Sequence, residues 1–388
     1  MVSIRLKTDY LNVNSSSEIK QVAKLFLKLG FTAFGGPAAH IAMMQEEVVT
    51  KRKWLTEQHF LDLIGATNLI PGPNSTEMAI HIGHERAGWK GLIVAGLCFI
   101  LPAVFITGIL AWLYKQYGQL PEVQPFVYGI KPAIIAVILA AVYPLAKISL
   151  KSVELAIIGL AVLIFSLLHF NEIFLMFGAG IIALLLTSFR NSKLKNANGF
   201  IPFTILQVSS TTIVSATNLN LFWIFLKIGA ILYGSGYVLF AFLDTEFVST
   251  GLLTRQQLID AIAVGQFTPG PVFSSVTFIG YQINGLPGAI VSTVGIFLPS
   301  FVFVALLNPF VKKIRNSKLF SAFLDAVNVA SVAIIISVCY FMGKDTINDW
   351  RTILIAVSSI ILTFGFRKIN SAFIILGGSI TGYLLTLI

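Results

Sequence analysis

The segment LTEQHFLDLIGATNLIPGP (Leu55–Pro73) recurs later in the chain as LTRQQLIDAIAVGQFTPGP (Leu253–Pro271). Ahead of it stands FLKLGFTAFGGP (Phe26–Pro37), which returns as FLKIGAILYGSG (Phe225–Gly236) at nearly the same spacing. Self-similarity over this length predicts that the chain is two copies of one structural unit. We place the first unit at residues 19–189, a linker at residues 190–218 and the second unit at residues 219–388.

Composition assigns the chain to the helical membrane proteins. Hydrophobic residues make up 56% of it and charged residues 11%, with a mean hydropathy of +0.85. A soluble chain of this size could not cover its surface with so few charges. Apolar runs also recur at close to the ~20 residues that span a bilayer. We therefore predict an all-α polytopic membrane protein whose surroundings are the lipid bilayer.

Charge, cysteine and histidine content argue against several other classes. The net charge of +10 comes from basic residues in short loops between apolar runs, where insertion topology explains them, so we expect no nucleic-acid partner. Cys98 and Cys339 both lie in apolar segments, which argues against a disulfide framework. His40, His81 and His84 lack the paired spacing of a metal site. We expect no metal, no cofactor and no enzyme activity, since no nucleophile is paired with a base.

Loop charge predicts that the two units insert upside down relative to each other. The loop His84–Gly91 carries Arg86 and Lys90, whereas the equivalent loop Tyr281–Gly288 has no lysine or arginine. Because basic loops stay in the cytoplasm, equivalent loops of opposite charge character face opposite sides. The favoured topology has two inverted repeats, each with about five crossings and one re-entrant PGP hairpin. Twelve or more crossings, with spanning hairpins, is the alternative.

Broken helices inside each unit predict where a substrate binds. Proline lacks an N–H and opposes helix at the preceding residue, so both PGP tripeptides interrupt a helix that then restarts. A helix start exposes N–H groups and the positive end of the dipole, which suits an anion. Inverted-repeat transporters bind substrate at such breaks near the membrane midplane. The predicted binding residues at the breaks are Gly35, Gly36, Pro71, Gly72, Pro73, Asn74, Ser75, Thr76, Gly234, Thr268, Pro269, Gly270, Pro271, Ser274 and Ser275.

Lys28 and Lys227 occupy matched positions on apolar helices. A charged residue inside a membrane segment favours a functional role, and two ammonium groups suit a dianion. Snorkelling of the side chain to the membrane interface is the structural alternative, because each lysine lies near a helix beginning. We predict both lysines as substrate ligands and keep the alternative open.

Carboxylates are the candidates for proton coupling, since burial makes a carboxyl group hold its proton more readily. Glu77 follows the first PGP and has no acidic counterpart after the second, which favours an asymmetric role. Arg86 also lacks a counterpart, and its guanidinium suits oxyanion contact or gating because it can bond oxyanions in a bidentate way. The further coupling candidates, for which ion pairing or a helix-end charge is the alternative, are Asp62, Asp260, Glu47 and Glu246.

The motifs FTAFGGP, KWLTEQHFLDLIGATNLIPGPNSTEMAIHIG and GWKGLIVAGLCFILPA resemble the long two-domain form of the chromate ion transporter family. In the second unit, GQFTPGPVFSSVTFIGYQINGLPGAI is similar to that family's C-terminal domain. The resemblance implies a multi-pass protein of the plasma (inner) membrane that exports chromate by using the proton motive force, as an antiporter, with sulfate as a similar anion. Gly234-Ser235-Gly236 replaces GGP in the second unit, so the two breaks are not expected to contribute equally.

Two other functions remain open from the sequence. One is transport of sulfate or another anion in place of chromate, and the other is a passive anion channel, whose flux would follow the electrochemical gradient alone. A homodimer is compatible with either.

Overall fold

The computed structural model describes residues 2–118, 120–190, 217–233, 236–307, 318–366 and 369–388. Every regular element among them is helical. The first repeat contains α1 (Val2–Thr32), α2 (Gly36–Gln45, continued by the π-helical turn Glu46–Lys51), α3 (Glu57–Thr67), α4 (Asn74–Tyr117), α5 (Gln124–Ser149), α6 (Val153–Leu167) and α7 (Glu172–Arg190). The second repeat contains α8 (Asn218–Ile231), α9 (Leu239–Leu243, between the turns Gly236–Val238 and Asp244–Val248), α10 (Arg255–Phe267), α11 (Ser275–Leu307, after the turn Val272–Ser274), α12 (Lys318–Thr346), α13 (Trp350–Gly365) and α14 (Ser371–Thr386).

Five of the described helices, α4, α5, α7, α11 and α12, are long and apolar enough to cross a membrane. The outer surface carries many large exposed apolar side chains, among them Trp89, Phe105 and Ile148, as a lipid-facing surface does. Inside the bundle, small residues bring helices close together, as is usual in membranes. A Cβ atom on Gly129 of α5, for example, would lie 2.1 Å from the carbonyl oxygen of Gly378 on α14. The predicted all-α membrane fold is confirmed.

The duplication is visible in the backbone. α4 breaks at a first turn, Ala87–Gly88, and α11 breaks at a second turn, Asn284–Gly285. Gly88 has φ 60° and ψ −149°, and Gly285 has φ 60° and ψ −150°, a combination that residues with a Cβ atom rarely adopt. The same unusual conformation at matched positions shows that the two units fold alike.

The two turns lie at opposite ends of the bundle. α4 runs away from the first turn and ends beside the second, where Lys115 Nζ donates to the carbonyl oxygen of Gln282 at 3.5 Å. α11 runs away from the second turn and ends beside the first, since Val304 shares a buried cluster with Leu92. The two long helices are therefore antiparallel, which agrees with the inverted arrangement predicted from loop charge.

The PGP hairpin of the first repeat is too short to span a membrane twice. α3 has 11 residues, and the segment Asn74–Arg86 that returns from the PGP is similar in length. At ~1.5 Å per residue, each arm is about 20 Å long or less, compared with ~30 Å of hydrocarbon. The re-entrant arrangement fits these lengths better than the spanning alternative, and the number of crossings stays a prediction.

A second broken hairpin is formed by α1 and α2. Arg86, beside the first turn, lies 3.4 Å from Glu18 and 5.2 Å from the ring centre of Trp54, so the chain enters and leaves this hairpin at the same end. Gly35 (φ 100°) and Gly36 (φ 80°) reverse the chain between the two helices. The topology predicted from the sequence counts α1 as a membrane span; the structure shows α1 as one arm of a hairpin, and its placement in the membrane stays a prediction.

Candidate functional site

The two repeats meet where the PGP loop of each contacts the broken helix of the other. The N–H of Gly72 donates to the carbonyl oxygen of Leu232 at 2.8 Å, and the N–H of Gly270 donates to the carbonyl oxygen of Ala33 at 2.8 Å. Ala33 follows α1 and Leu232 follows α8, so the two hydrogen bonds are equivalent under the repeat. We call this contact between the repeats, defined by these four residues, the crossing, as distinct from a membrane span.

Only glycine fits the centre of each PGP loop. Gly72 has φ 135° and Gly270 has φ 88°, which strain a residue with a Cβ atom. A Cβ on Gly270 would also lie 2.9 Å from the Cβ of Ala103, and one on Gly72 would lie 2.2 Å from Oε1 of Glu77. The neighbouring prolines are buried and have no N–H to offer an anion; they are Pro71, Pro73, Pro269 and Pro271. The N–H of each PGP glycine already bonds the other repeat. An anion would therefore bind the N–H groups at the helix starts.

A carboxyl group lies at the helix start after the first PGP. Glu77 is fully buried, Ser300 Oγ donates to its Oε1 at 3.4 Å, and its Oε2 has no hydrogen-bond partner among the described residues. The neighbouring Thr76 Oγ1 is also buried and has no partner in the part of the chain that the structure describes. Glu77 is also within electrostatic reach of Tyr233, which follows α8 in the second repeat. An ionised Glu77 would place negative charge where the helix start would otherwise attract an anion.

Neutral donors surround the second PGP. Thr107 Oγ1 of α4 lies 3.3 Å from Ser274 Oγ and 3.4 Å from Thr268 Oγ1, and all three side chains are buried. Ser275 Oγ and Gln266 Nε2 are buried and have no partner within the described ranges. A buried donor without a partner costs about 1–3 kcal/mol. A ligand that carries several oxygen acceptors would satisfy both groups.

Lys28 and Lys227 each pair with a carboxylate of their own repeat. Lys28 Nζ lies 2.8 Å from Glu47 Oε1, and Lys227 Nζ lies 2.5 Å from Glu246 Oε1. The lysine side chains are 57% and 46% exposed. The hydrogen bond from Lys28 holds the pKa of Glu47 below its ordinary value. The structure therefore brings the lysines together with Glu47 and Glu246, as the ion-pair alternative predicted for those two carboxylates.

Asp62 and Asp260, although matched in sequence, have different surroundings. Asp260 is 4% exposed and accepts hydrogen bonds from the Tyr114 hydroxyl at 2.6 Å and from Gln256 Nε2 at 3.2 Å. Asp62 is half-buried and accepts one from Gln58 Nε2 at 3.5 Å. Because Tyr114 belongs to the first repeat, Asp260 joins the two repeats, in the middle of α10 and ahead of the PGP loop.

The remaining predicted residues are spread over the hairpins. Arg86 bonds Gln21 at 3.1 Å beside the first turn, which is an anchoring contact between α1 and α4. Asn74 Nδ2 donates to Asn68 Oδ1 at 2.8 Å across the first PGP, and Ser75 is buried at the start of α4. Gly35 and Gly36 lie in the reversal after Ala33, while Gly234 falls outside the described residues.

Sequence reasoning missed Thr107, Ser300, Gln266 and Tyr114. Thr107 and Ser300 are hydroxyl residues within apolar stretches of two long helices, and each contacts the PGP segment of the opposite repeat. Their chemistry is visible in the sequence, but the partner is more than a hundred residues away and nothing local identifies it. The sequence offered one indication, a polar residue within an otherwise apolar stretch of helix.

Comparison with known proteins matches the chromate transporter family twice, at residues 20–184 and 219–383. A probable chromate transport protein of Synechococcus elongatus is 29% identical, over 96% of this chain and 97% of that protein. A chromate transport protein of Cupriavidus metallidurans is 30% identical, over 94% of this chain and 92% of that protein. An uncharacterized transporter of Bacillus subtilis is 24% identical and aligns 89% of its own length with 40% of this chain, about one repeat.

No solved structure matches the chain. The two family matches lie one in each repeat and together cover most of the sequence, including both PGP hairpins and both long broken helices. The chain belongs to the chromate transporter family.

Proposed function

We propose that this protein is a secondary transporter of tetrahedral oxyanions, chromate first and sulfate-like anions second, with its substrate site at the crossing. The pair of equivalent hydrogen bonds, from Gly72 to Leu232 and from Gly270 to Ala33, carries this proposal. They hold the broken helices of both repeats at one place, which is where inverted-repeat transporters bind substrate. Movement of one repeat against the other would rearrange these contacts and expose the site to alternate sides.

The anion would bind at the second PGP. Ser275 and Gln266 supply buried donors that lack a partner among the described residues, and Thr107 and Ser274 add hydroxyl groups beside them. The restarting helix contributes its positive dipole end. Four acceptor oxygens on a tetrahedral dianion can satisfy several such donors together, which no side chain in the described structure does.

Glu77 would couple transport to protons. Its carboxyl group lies beside the crossing, since a Cβ on Gly72 would nearly touch it, and the described residues around it provide the Ser300 hydroxyl and no cation. An isolated ionised carboxylate is costly in a low-dielectric interior. An ionised Glu77 would also repel the dianion, so the site favours proton and anion together.

Export is consistent with this charge arrangement. An inside-negative membrane potential favours outward movement of negative charge by ~2.3 kcal/mol per charge per 100 mV, or about 4.6 kcal/mol for a dianion. One accompanying proton removes about half of that driving force. Net export at the plasma membrane would therefore be driven by the potential, and the proton would set the pH dependence.

Proteoliposomes test the site and the anion. Uptake of labelled chromate and sulfate would be measured with the membrane potential clamped, with and without an imposed pH gradient. We expect saturable chromate flux that falls at least tenfold in Ser275→Ala, because a buried donor to a dianion is lost. Ser292→Ala is the matched control, since Ser292 Oγ is equally buried and has no partner among the described residues but lies on α11 beyond the second turn. Equal flux in the two variants would refute the site, and unsaturable flux that follows the gradient alone would identify a channel.

The same assay tests coupling. Glu77→Gln keeps the shape of the side chain and cannot ionise, so we expect chromate flux that no longer varies with pH. Asp62→Asn, a half-buried acid of the same hairpin, should keep the wild-type pH profile. A flat profile in Asp62→Asn with a normal one in Glu77→Gln would move the coupling role from Glu77 to Asp62.

A further inference from the structure

A cavity of about 400 Å³ opens between α5 and α12, at the end of the bundle where α5 ends and α12 begins. Both repeats line it: Ser149 and Lys151 from the first, and Asp325 and Asn328 from the second. A water molecule occupies about 30 Å³ in the liquid, so the cavity has room for a hydrated anion. Amide, hydroxyl and ammonium groups on its wall give it donors that suit an oxyanion.

The cavity reaches the crossing. Asn68 and Asn74, on either side of the first PGP, line it, and their amides bond each other at 2.8 Å. Ser331 lines it too, and its Oγ donates to the carbonyl oxygen of Tyr233 at 3.2 Å. Tyr233 directly follows the residue whose carbonyl accepts the Gly72 N–H. The cavity is therefore lined by residues that lie close in sequence to both partners of the Gly72–Leu232 hydrogen bond.

An ion pair between the repeats lies at the outer part of the cavity. Lys151 Nζ bonds Asp325 Oδ1 at 2.7 Å, with the side chains 54% and 26% exposed. Such an exposed pair contributes little net stability, because water solvates the separated charges well. A dianion that arrives from solution can therefore compete with Asp325 for the ammonium group.

Toward the opposite end of the repeat interface, the cavity between Glu172 and Arg255 is much smaller, about 30 Å³, and the neighbouring contacts are close. The Tyr114 hydroxyl bonds the buried Asp260 at 2.6 Å, and the Tyr114 ring centre lies 5.1 Å from that of Phe278. Close by, Lys115 bonds the carbonyl oxygen of Gln282. The structure thus combines a polar cavity toward one end with tyrosine, aspartate and phenylalanine contacts toward the other.

We propose that this cavity is the access vestibule through which the transported oxyanion reaches the crossing, with the Lys151–Asp325 pair as its gate. The proposal rests on the proposed function and adds a route and a side to it. The vestibule lies at the end that carries Lys147 and Lys151, and the positive-inside rule assigns such basic ends to the cytoplasm. An exporter must accept its substrate from that side.

Kinetics of chromate flux in proteoliposomes test the gate. Lys151→Met removes the cation, and we expect a KM several-fold higher with kcat little changed, because initial attraction is lost and the transport step is not. Asp325→Asn frees the cation, and we expect a lower KM that rises more steeply with salt. Lys147→Met removes an exposed lysine four residues earlier, in the last turn of α5, and serves as the control. An unchanged KM in both gate variants, or an equal change in Lys147→Met, overturns the gate.

Thiol modification tests the route. In a Cys98→Ser/Cys339→Ser background, Asn328→Cys should react with a membrane-impermeant thiol reagent added on the Lys151 side, and chromate flux measured after washing should be lost. Lys147→Cys should react on the same side and keep its flux. Failure of Asn328→Cys to react, reaction from the other side alone, or full flux after complete reaction overturns the vestibule. The kinetic comparison needs no cysteine background and stands if that background is inactive.

The two proposals fail in different ways. Lost flux in Ser275→Ala with no effect at Lys151, Asp325 or Asn328 rejects the vestibule and keeps the crossing as the site. Wild-type flux in Ser275→Ala rejects the crossing, whatever the vestibule variants show.

Discussion

Replacing Gly270 by alanine should damage the crossing more than replacing any glycine of comparable backbone strain elsewhere. Its φ of 88° costs about 1–2 kcal/mol for a residue with a Cβ atom. The new methyl group would lie 2.9 Å from the Cβ of Ala103, which cannot rotate away, and 3.3 Å from the carbonyl oxygen of Gly30. Relief of this contact must shift the loop and weaken the 2.8 Å hydrogen bond to Ala33, worth about 0.5–1.5 kcal/mol. We expect a total loss of about 2–4 kcal/mol.

Two control variants separate the causes. Gly88→Ala carries the strain of a positive φ but has open space around the new methyl group, so its loss should be limited to the backbone term. Gly108→Ala lies inside a helix with open space and ordinary φ, so it should be neutral or slightly stabilising. Thermal unfolding in detergent gives the order of stability, and proteoliposome flux gives the functional effect. If Gly270→Ala is as stable as Gly108→Ala and transports chromate normally, the crossing is neither tightly packed nor needed.

Further predictions concern the charged contacts. Tyr114→Phe leaves the buried Asp260 with one donor fewer, so we expect the free energy of unfolding to fall by about 1–3 kcal/mol. The Tm should be lower than in Tyr117→Phe, a control at an exposed tyrosine. Equal Tm values in the two variants would argue against this contact. Lys28 lowers the pKa of Glu47 below 4.5, so the ionised pair stabilises the fold above about pH 4.5 and that contribution is lost as pH falls through the lowered pKa. Lys28→Met should therefore flatten the acid side of the Tm–pH profile, by no more than about 1 kcal/mol because the lysine is exposed. An unchanged profile with a raised chromate KM would instead assign Lys28 to the substrate, as first predicted from its position.

Much of the architecture follows from local properties of the sequence. Membrane class depends on composition, duplication depends on the recurrence of Leu55–Pro73, and inversion depends on the charge of equivalent loops, all of which can be counted along the chain. The helix breaks at both PGP tripeptides were predictable as well, because proline lacks the N–H that a continuing helix needs. α1 was different: the sequence shows a break after Thr32 but does not show that consecutive positive φ angles send the chain back to the end from which it came.

The candidate site also has features that follow from local sequence and features that do not. Sequence position identified the polar and flexible residues around each PGP, including Glu77 and Ser275, because residue type is a local property. Side-chain partners are not local. Lys28 was predicted as a substrate ligand, which stays a prediction, and the fold places it beside Glu47, a contact that its position in the chain does not reveal.

Local sequence is therefore enough to predict a duplicated helical membrane protein with a broken helix at each PGP, because composition, recurrence and proline chemistry can be assessed segment by segment. The folded structure was needed to show that the N–H of each PGP glycine bonds the other repeat, that Thr107 and Ser300 contact the opposite hairpin, and that Lys151 pairs with Asp325 beside a cavity. Those contacts join residues that lie far apart in the chain, and only the packing of two inverted units brings them within bonding distance.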